Sequence, residues 1–350
     1  MKIGKEDKQR IYSNLLKRFE DSRLLLTAKS SFRLLYARQK NPYKLEIPLL
    51  VISGLQRSGT HLADNLLRNH HQIISYYKEL QIGHPNKYHW PDLAHEKNIK
   101  RRFALLIPRN VVKHFLNIQQ HESFLFDFAY FRKNFLNLEK DNAQLNQRET
   151  LNNFFTAYFN AYLNCTHSNF YCDYKYIATP IPGLTIYKKS IEGFFSDYPD
   201  GRIFVLIRDP YLWWNSAQKH SHRLKNHGLE RYRKTLLNTM WASKEYPNNI
   251  FAVSFDHLVK NTEHTARIML KCAELEYSTV SSFPSNFPHF AIDNSTFGHK
   301  KTKTVLKEKV KRDLIIPDDD KRHIERHIYP LYQDVLNQYA VNVKDIDLLE

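Results

Sequence analysis

The feature that most constrains the fold is a short apolar run followed by a glycine-bounded loop and a helical pattern. Residues 49–52, Leu-Leu-Val-Ile, form an aliphatic run of the kind found in a strand buried on both faces. Gly54 and Gly59 bound the loop, and three leucines within 62–67 follow at helical spacing. In this order, the loop N–H groups and the helix dipole face one point, where they favour an anion. The sequence therefore predicts a phosphate-binding loop at 54–61.

The loop lacks the lysine of a nucleoside-triphosphate loop. In the motif G-x-x-x-x-G-K-[ST] a lysine follows the second glycine, whereas here Thr60 and His61 follow Gly59, and the cation is Arg57. The stretch Arg-Ser-Gly-Thr at 57–60 resembles the 5′-phosphosulfate loop of sulfotransferases that use PAPS (3′-phosphoadenosine 5′-phosphosulfate), in the bacterial carbohydrate-type branch that carries arginine there. A chance glycine-bounded turn in an α/β protein is the alternative interpretation. The resemblance implies that the phosphosulfate contacts Arg57, Ser58, Gly59, Thr60 and His61, with Arg57 offsetting charge on the leaving group.

A second strand carries the other strong pattern. Residues 203–207 are apolar throughout, which predicts a central parallel strand; Arg208 comes at its end and Pro210 stops it. Ser216 follows in the next predicted helix. An arginine fork at the end of a strand and a hydroxyl in the helix behind it can bind one phosphate together. The resemblance implies that Arg208 and Ser216 bind the 3′-phosphate of PAPS.

A carboxylate follows the second predicted strand, which we assign to residues 73–77. In the resembling family an acidic residue after this strand often serves as the catalytic base, and Glu79 matches that position. His84 is the alternative base, because an unperturbed histidine titrates near neutral pH. An exposed charge at the end of a strand is the interpretation without a catalytic role.

A lysine beside the leaving group is a further expectation from the resemblance. The family often places it in a Lys-Thr-Pro-like motif, where it would stabilise charge on the departing oxygen. We predict a strand at 170–177, in which Lys175 matches loosely, since the proline is absent at the expected place. Lys188 and Lys189 are competing candidates, and a surface lysine is the alternative interpretation for all three.

Residues 92–170 are predicted to be helical and are unusually aromatic, with clusters at 124–135 and 154–162. Aromatic residues at helical spacing favour core packing. The functional alternative is an acceptor cleft in which the rings stack on sugars. On that alternative the partner is an acceptor with a free hydroxyl, in a carbohydrate or glycoconjugate such as a cell-envelope glycan.

The charge predicts an anionic ligand: the net charge is +16 and the pI is about 9.5. Nucleic acid, anionic lipid and an anionic nucleotide all match that sign. Residues 5–40, within an N-terminal extension at 1–45, show a basic amphipathic helical pattern. This pattern indicates either a helix packed on the core with a solvated basic face or a peripheral contact with an anionic membrane surface.

The compartment is predicted to be the cytoplasm. No stretch has the apolar length of a membrane span, and the N-terminus lacks the apolar segment of a secretory signal. The three cysteines include no C-x-x-C pair, so reduced thiols are the simplest interpretation. They are Cys165, Cys172 and Cys272.

Two later segments add weaker signals. Residues 251–262 resemble the family's Tyr-Glu-Asp-Leu segment, which we interpret as structural; its central residues are Phe255, Asp256 and His257. The family also closes the nucleotide site with a late basic loop. This likeness implies that Lys300 and Lys301, after Gly298, contact the 3′-phosphate, with a solvated charge run as the alternative.

One candidate metal pattern is weak. His323 and His327 stand one helical turn apart, but the pattern is not H-E-x-x-H. We interpret this segment as a surface helix, and we expect no metal.

Together these patterns predict an α/β fold. Apolar runs alternate with helical patterns, which indicates a three-layer α/β/α domain at 46–345 with a central parallel sheet, like that of P-loop nucleoside triphosphatases. The leading hypothesis is sulfuryl transfer from PAPS to a hydroxyl or amine. The alternatives are a P-loop kinase with Asp209 as a magnesium ligand, and a basic nucleic-acid binder. No helix-turn-helix, zinc or RNA-binding signature is present, so nucleic acid is not the expected partner. The sequence leaves the oligomeric state open.

Overall fold

The computed structural model describes residues 44–68, 70–76, 79–80, 89–93, 96–107, 128–140, 146–161, 174–219, 222–277 and 315–341, without the side chains of 222–226. The strands in these ranges are β1 Leu49–Gly54, β2 Ile73–Ser75, β3 Tyr176–Pro180, β4 Arg202–Ile207 and β5 Ile250–Ser254. The α-helices are α1 Thr60–Leu67, α2 Ile99–Leu106, α3 Phe128–Leu138, α4 Gln147–Asn160, α5 Lys188–Asp197, α6 Pro210–Ala217, α7 His222–Glu245, α8 Phe255–Lys260, α9 Thr262–Cys272, α10 Asp318–His323 and α11 Tyr329–Gln338. A 3₁₀ turn spans Leu184–Ile186, and a π-helical turn at Ile324–Ile328 joins α10 to α11.

The five strands form one parallel sheet in the order β2-β3-β1-β4-β5. β1 lies in the centre, where Ile52 is aligned with Pro180 of β3 and with Phe204 of β4. The chain leaves β1 toward one side of the sheet and later crosses from β3 to β4 on the other side. Parallel sheets bind ligands at such a reversal, outside the carboxyl ends of the strands. The predicted α/β architecture with a central parallel sheet is confirmed.

Helices cover both faces of the sheet because alternate residues of each strand point to opposite sides. Leu50 and Ile52 pack with apolar residues of α1, α8 and α9. Leu49 and Val51 belong to the larger cluster on the other face, which includes residues of α3–α7 and α11. β1 is buried along its whole length, as its aliphatic run predicts.

The aromatic region forms a large part of the larger cluster, the one that contains Leu49 and Val51. Many of its rings pack edge to face, for example Phe131 with Phe154, whose centroids are 5.4 Å apart, and Phe154 with Phe155, at 5.5 Å. Phe131, Phe135, Phe154 and Phe155 have no exposed surface. These rings therefore form core, and in this structure they offer no face to a sugar; Phe124 and Phe126 lie outside the described residues.

A buried ion pair joins the helices of this region. The guanidinium of Arg102 in α2 donates to the carboxylate of Glu139, and both side chains are at most 4 % exposed. The same carboxylate accepts from Thr150 Oγ1 at 3.1 Å and Asn153 Nδ2 at 2.9 Å. A buried charge is tolerated when it is paired and hydrogen-bonded in this way.

Residues 170–173 of the strand predicted at 170–177 lie outside the described residues; in the described part, β3 begins at Tyr176, after Lys175, and ends at Pro180. His323 and His327 lie on a helical stretch whose inward face is formed by Ile324 and Ile328. The N-terminal pattern at 5–40 lies outside the described residues, and the domain limits at 46 and 345 stay predictions. Among the helices in the described ranges, none has the length and apolarity that a bilayer span requires.

Candidate functional site

The loop at the carboxyl end of β1 has an unusual backbone. Arg57 has a φ of 75° and Gly59 a φ of 93°, both in the left-handed region. Glycine adopts this region without strain, whereas arginine pays a steric penalty there. The N–H of Ser58 donates to the carbonyl of Leu55 at 3.0 Å, which closes a tight turn before α1 begins at Thr60.

Three successive N–H groups are available at the start of α1. Those of Gly59, Thr60 and His61 donate no hydrogen bond to any other residue that the structure describes. The first N–H groups of a helix lack partners within it, and the helix dipole adds a partial positive charge there. The turn therefore has the groups that an anion needs. The side chains of Ser58 and Thr60 are buried, with 1 % and 4 % of the residue exposed. The side chain of Arg57 is exposed and brings a positive charge to the loop.

The structure brings the loop together with the end of β4. The Nε of Arg57 donates to the Oγ of Ser216 at 3.2 Å, and the guanidinium of Arg208 donates to the carbonyl of Arg57 at 2.9 Å. The three residues therefore meet at the carboxyl edge of the two central strands. The sequence predicted that these two segments act on one ligand, and their contact satisfies the geometric requirement of that prediction.

Phe255, at the start of α8, lies against both segments. A Cβ added to Gly59 would lie 2.2 Å from its ring, and the Cζ of Arg208 lies 4.8 Å from the centre of that ring. A cation over an aromatic face is held in place by the ring quadrupole. The ring therefore fixes the shape of the loop and the position of Arg208. The sequence analysis interpreted residues 251–262 as structural but did not identify Phe255 as the ring that contacts Gly59 and Arg208. An aromatic residue directly after a strand was the signal that could have indicated it.

Helices α6 and α7 hold the same edge from the other side. The indole Nε1 of Trp213 donates to the carbonyl of Gln56 at 2.9 Å, and the hydroxyl of Tyr232 donates to the carbonyl of Arg208. The carboxylate of Asp209 accepts from the N–H of Leu212 at 2.9 Å and so caps α6. Asp209 thus has a structural task, which weakens its assignment as a magnesium ligand in the kinase alternative.

The predicted base lies beside the loop helix. The Nε2 of His61 and the Oε1 of Glu79 are 3.2 Å apart. Hydrogen bonding to Glu79, aided by its charge, raises the pKa of His61 against the opposing effect of burial. The N–H of Leu80 donates to the carbonyl of Pro180 at 2.9 Å, so the segment after β2 reaches the carboxyl edge of the sheet. The structure therefore joins Glu79 to the loop through His61.

Residues 48–279, about two thirds of the chain, match the model of the sulfotransferase family. It is a member of the sulfotransferase family. A comparison with curated protein sequences found no match.

Several solved structures are similar. A sulfotransferase from Alicyclobacillus acidocaldarius has 11% identity and a TM-score of 0.40, with 67% of this chain and 85% of that chain covered. The sulfotransferase domain from the curacin biosynthetic pathway has 12% identity and a TM-score of 0.39, with 68% and 77% covered. A sulfotransferase from Mycobacterium avium has 15% identity and a TM-score of 0.38, with 75% and 74% covered.

Lys175 does not lie at the site of this sulfotransferase. Its N–H donates to the carbonyl of Gln72 at 2.8 Å, before β3 begins, and its Nζ lies 3.4 Å from the carbonyl of Glu274. This is the amino edge of the sheet, and a five-residue strand of about 3.3 Å per residue separates it from the carboxyl edge. Lys175 lies at this edge because β3 begins one residue after it, at Tyr176. The Thr-Pro pair of the expected motif is instead Thr179-Pro180, with Ala178 where a lysine was sought.

The competing lysines contact other groups. Lys188 pairs with Glu192 at 3.7 Å and lies 4.1 Å from the centre of the Trp241 ring, and Lys189 is exposed. Neither contacts the loop within the part of the chain that the structure describes. His84, Gly298, Lys300 and Lys301 lie outside the described residues, so their roles stay predictions.

The described residues hold no group of three histidine, cysteine or carboxylate side chains arranged to bind a metal. The expectation that this sulfotransferase works without a metal stays a prediction.

Proposed function

We propose that this sulfotransferase moves the sulfuryl group of PAPS to a hydroxyl group of an acceptor, in a carbohydrate or glycoconjugate. One observation carries the proposal. The side chain of Arg57 donates a hydrogen bond to Ser216, and the backbone carbonyl of Arg57 accepts one from Arg208. Two cationic segments with a hydroxyl between them suit a nucleotide that carries phosphate at two positions. An acceptor with an amine in place of the hydroxyl is the alternative for the same sulfuryl transfer.

The residues at the loop fit the donor's 5′ end. The N–H groups of Gly59, Thr60 and His61 and the guanidinium of Arg57 would hold the phosphosulfate. Arg208 and Ser216 would hold the 3′-phosphate. When bound, PAPS supplies the sulfuryl group and a phosphate leaving group, and a sulfuryl group has fewer anionic oxygens to neutralise than a phosphoryl group. The cations of this chain therefore suffice in the proposal, without a metal.

Glu79 has the role of base. Its carboxylate takes the proton of the acceptor hydroxyl as the new oxygen–sulfur bond forms and the bond from sulfur to the phosphate oxygen breaks. His61, at 3.2 Å, holds that carboxylate in one orientation. Arg57 and the helix N-terminus offset the charge that develops on the leaving oxygen. A cytoplasmic location and a membrane-peripheral contact through residues 1–45 belong to the proposal as further expectations.

Calorimetry with 3′-phosphoadenosine 5′-phosphate tests the donor class. We expect saturable binding that EDTA does not alter, and binding of adenosine 5′-monophosphate at least about tenfold weaker, since one bidentate arginine contact is lost. A preference for ATP that EDTA abolishes would replace the proposal with the kinase alternative. Absence of binding by either nucleotide would also overturn it.

The acceptor is tested by transfer of radiolabelled sulfur from PAPS to matched compounds. We expect label on a sugar with free hydroxyls and none on its fully O-methylated form. Label on an amine alone would correct the acceptor class.

A further inference from the structure

A small cavity lies between the 3₁₀ turn and the first half of α7. It has a volume of about 210 Å³ and is lined by Ile186, Tyr187, His227, Glu230, Arg231 and Lys234. Sites for whole drug-sized ligands begin at roughly 300 Å³. The cavity is therefore of a size for one ring or one charged group of a larger ligand.

Both walls of the cavity are bonded to the donor-site segments. The N–H of Gly183, next to the 3₁₀ turn, donates to the carbonyl of Gly54 at 2.8 Å. Tyr232 of α7 donates to the carbonyl of Arg208. The amide of Asn238 donates to the carbonyls of Thr185 and Ile186, both at 2.9 Å, and so joins the two walls. The cavity therefore belongs to the same edge of the sheet as the loop.

The charged wall favours an anion. Arg231 and Lys234 are one turn apart on α7, with His227 one turn before Arg231. Glu230 is the carboxylate of the lining, and it lies 3.8 Å from Lys234 and 3.6 Å from Arg233. Exposed pairs of this length contribute little, so an incoming anion can replace them. A guanidinium with an ammonium beside it suits a carboxylate or a phosphate.

Tyr187 contributes an aromatic ring to the lining of the cavity. The ring of Tyr187 is stacked on that of His89, with centroids 4.1 Å apart and planes 21° apart. An aromatic face of this kind fits a ring or an apolar surface of the ligand.

We propose that this cavity binds an anionic group, carboxylate or phosphate, of the acceptor, so that the acceptor is an acidic hydroxyl compound. This inference rests on the proposed sulfuryl transfer. Arg231 and Lys234 bind the anion, and Tyr187 contacts the ring that carries it. The hydroxyl to be modified belongs to the part of the acceptor that lies outside the cavity.

The test uses the full chain saturated with 3′-phosphoadenosine 5′-phosphate and three probes: glucuronate, glucose 6-phosphate and glucose. Affinities are measured by ligand-observed NMR titration. We expect at least one of the two anions to bind about tenfold more tightly than glucose. The anion that binds identifies the charged group as carboxylate or phosphate. Equal affinity for glucose and both anions, or no saturable binding of either anion, overturns the proposal.

The double variant Arg231→Gln/Lys234→Gln should lose that preference, while Lys244→Gln, which removes a charge from the exposed last turn of α7, should keep it. An undiminished preference in the double variant also overturns the proposal. Calorimetry with 3′-phosphoadenosine 5′-phosphate on the same samples separates the two hypotheses. If the wild type does not bind the nucleotide, the donor assignment is rejected. If it binds the nucleotide but shows no preference for an anion, only the anion-binding role of the cavity is rejected.

Discussion

The Nε of Arg57 donates a hydrogen bond of 3.2 Å to the Oγ of Ser216, 159 residues further along the chain. This contact joins the turn after β1 to the helix after β4 at the central reversal of the sheet. It makes the two most specific sequence motifs of the chain parts of one surface.

Replacing Ser216 by alanine removes the hydroxyl from this contact and from the proposed 3′-phosphate site. We expect about tenfold weaker binding of 3′-phosphoadenosine 5′-phosphate, the cost of one hydrogen bond to a charged group. Calorimetry measures the change, and Ser216→Thr, which keeps a hydroxyl, is the matched control. Wild-type affinity in Ser216→Ala would remove the residue from the donor site.

Replacing Glu79 by glutamine should abolish turnover and leave donor binding intact, because the amide cannot accept the acceptor's proton. Single-turnover sulfur transfer and nucleotide calorimetry measure the two effects separately. Turnover at the wild-type rate would move the base to His84 or to another residue.

The same variant should lower the pKa of His61 toward its ordinary value, since hydrogen bonding to Glu79 is the main cause of the rise. Because the raised pKa belongs to the folded state, the pair stabilises the fold fully below the ordinary histidine pKa of about 6.5. That contribution is lost as the pH rises through the raised pKa. An NMR titration of the His61 ring checks the shift, and an unchanged pKa in Glu79→Gln would show that the two side chains do not interact in solution.

Replacing Gly59 by alanine should destabilise the loop. The residue would keep a φ of 93°, and its Cβ would lie 2.2 Å from the ring of Phe255. A non-glycine residue in such a conformation costs about 1–3 kcal/mol. We expect the midpoint of urea unfolding to fall and nucleotide affinity to weaken together. Adding Phe255→Leu should relieve the clash in part; full recovery of stability would show that backbone strain is unimportant at this position.

The Arg102–Glu139 pair allows a test that is independent of function. Glu139→Gln leaves the buried guanidinium without its charged partner, and breaking a buried pair in this way costs about 3–5 kcal/mol. Urea unfolding measures the loss. The double variant Arg102→Met/Glu139→Leu should recover part of it, because it removes both charges together but also removes the carboxylate that accepts from Thr150 and Asn153. A loss as large in the double variant as in the single one would contradict this account.

Lys175→Ala should leave sulfur transfer and nucleotide affinity within about twofold of wild type, since the residue lies at the amino edge of the sheet. Arg57→Ala, at the carboxyl edge, should lose both. Steady-state kinetics on the two variants compares the edges directly. A strong defect in Lys175→Ala would place the leaving-group lysine where the sequence first suggested.

The sequence was most informative where one local pattern determines an element. The aliphatic run before Gly54 and the leucines after Thr60 predicted β1 and α1, and an apolar strand ending at Arg208 predicted β4, because these patterns depend only on neighbouring residues. Lys175 was misplaced because a shift in the start of β3 moves a residue from one edge of a sheet to the other.

Contacts between distant segments could not be predicted in the same way. The support of Gly59 by Phe255 and the hydrogen bond from Trp213 to Gln56 join residues that lie 157 or more positions apart. No local periodicity encodes such contacts. Only the order of the strands brings them together, and a single sequence gives that order weakly.

The central position of β1 also governs how the protein is made. Both neighbours of this strand, β3 and β4, are synthesised more than a hundred residues after it. At roughly 5–20 residues per second, this apolar strand leaves the ribosome about 6 to 25 seconds before β3, the first of its two neighbours. During that interval its apolar side chains and unpaired backbone groups are exposed, the condition under which nascent chains aggregate.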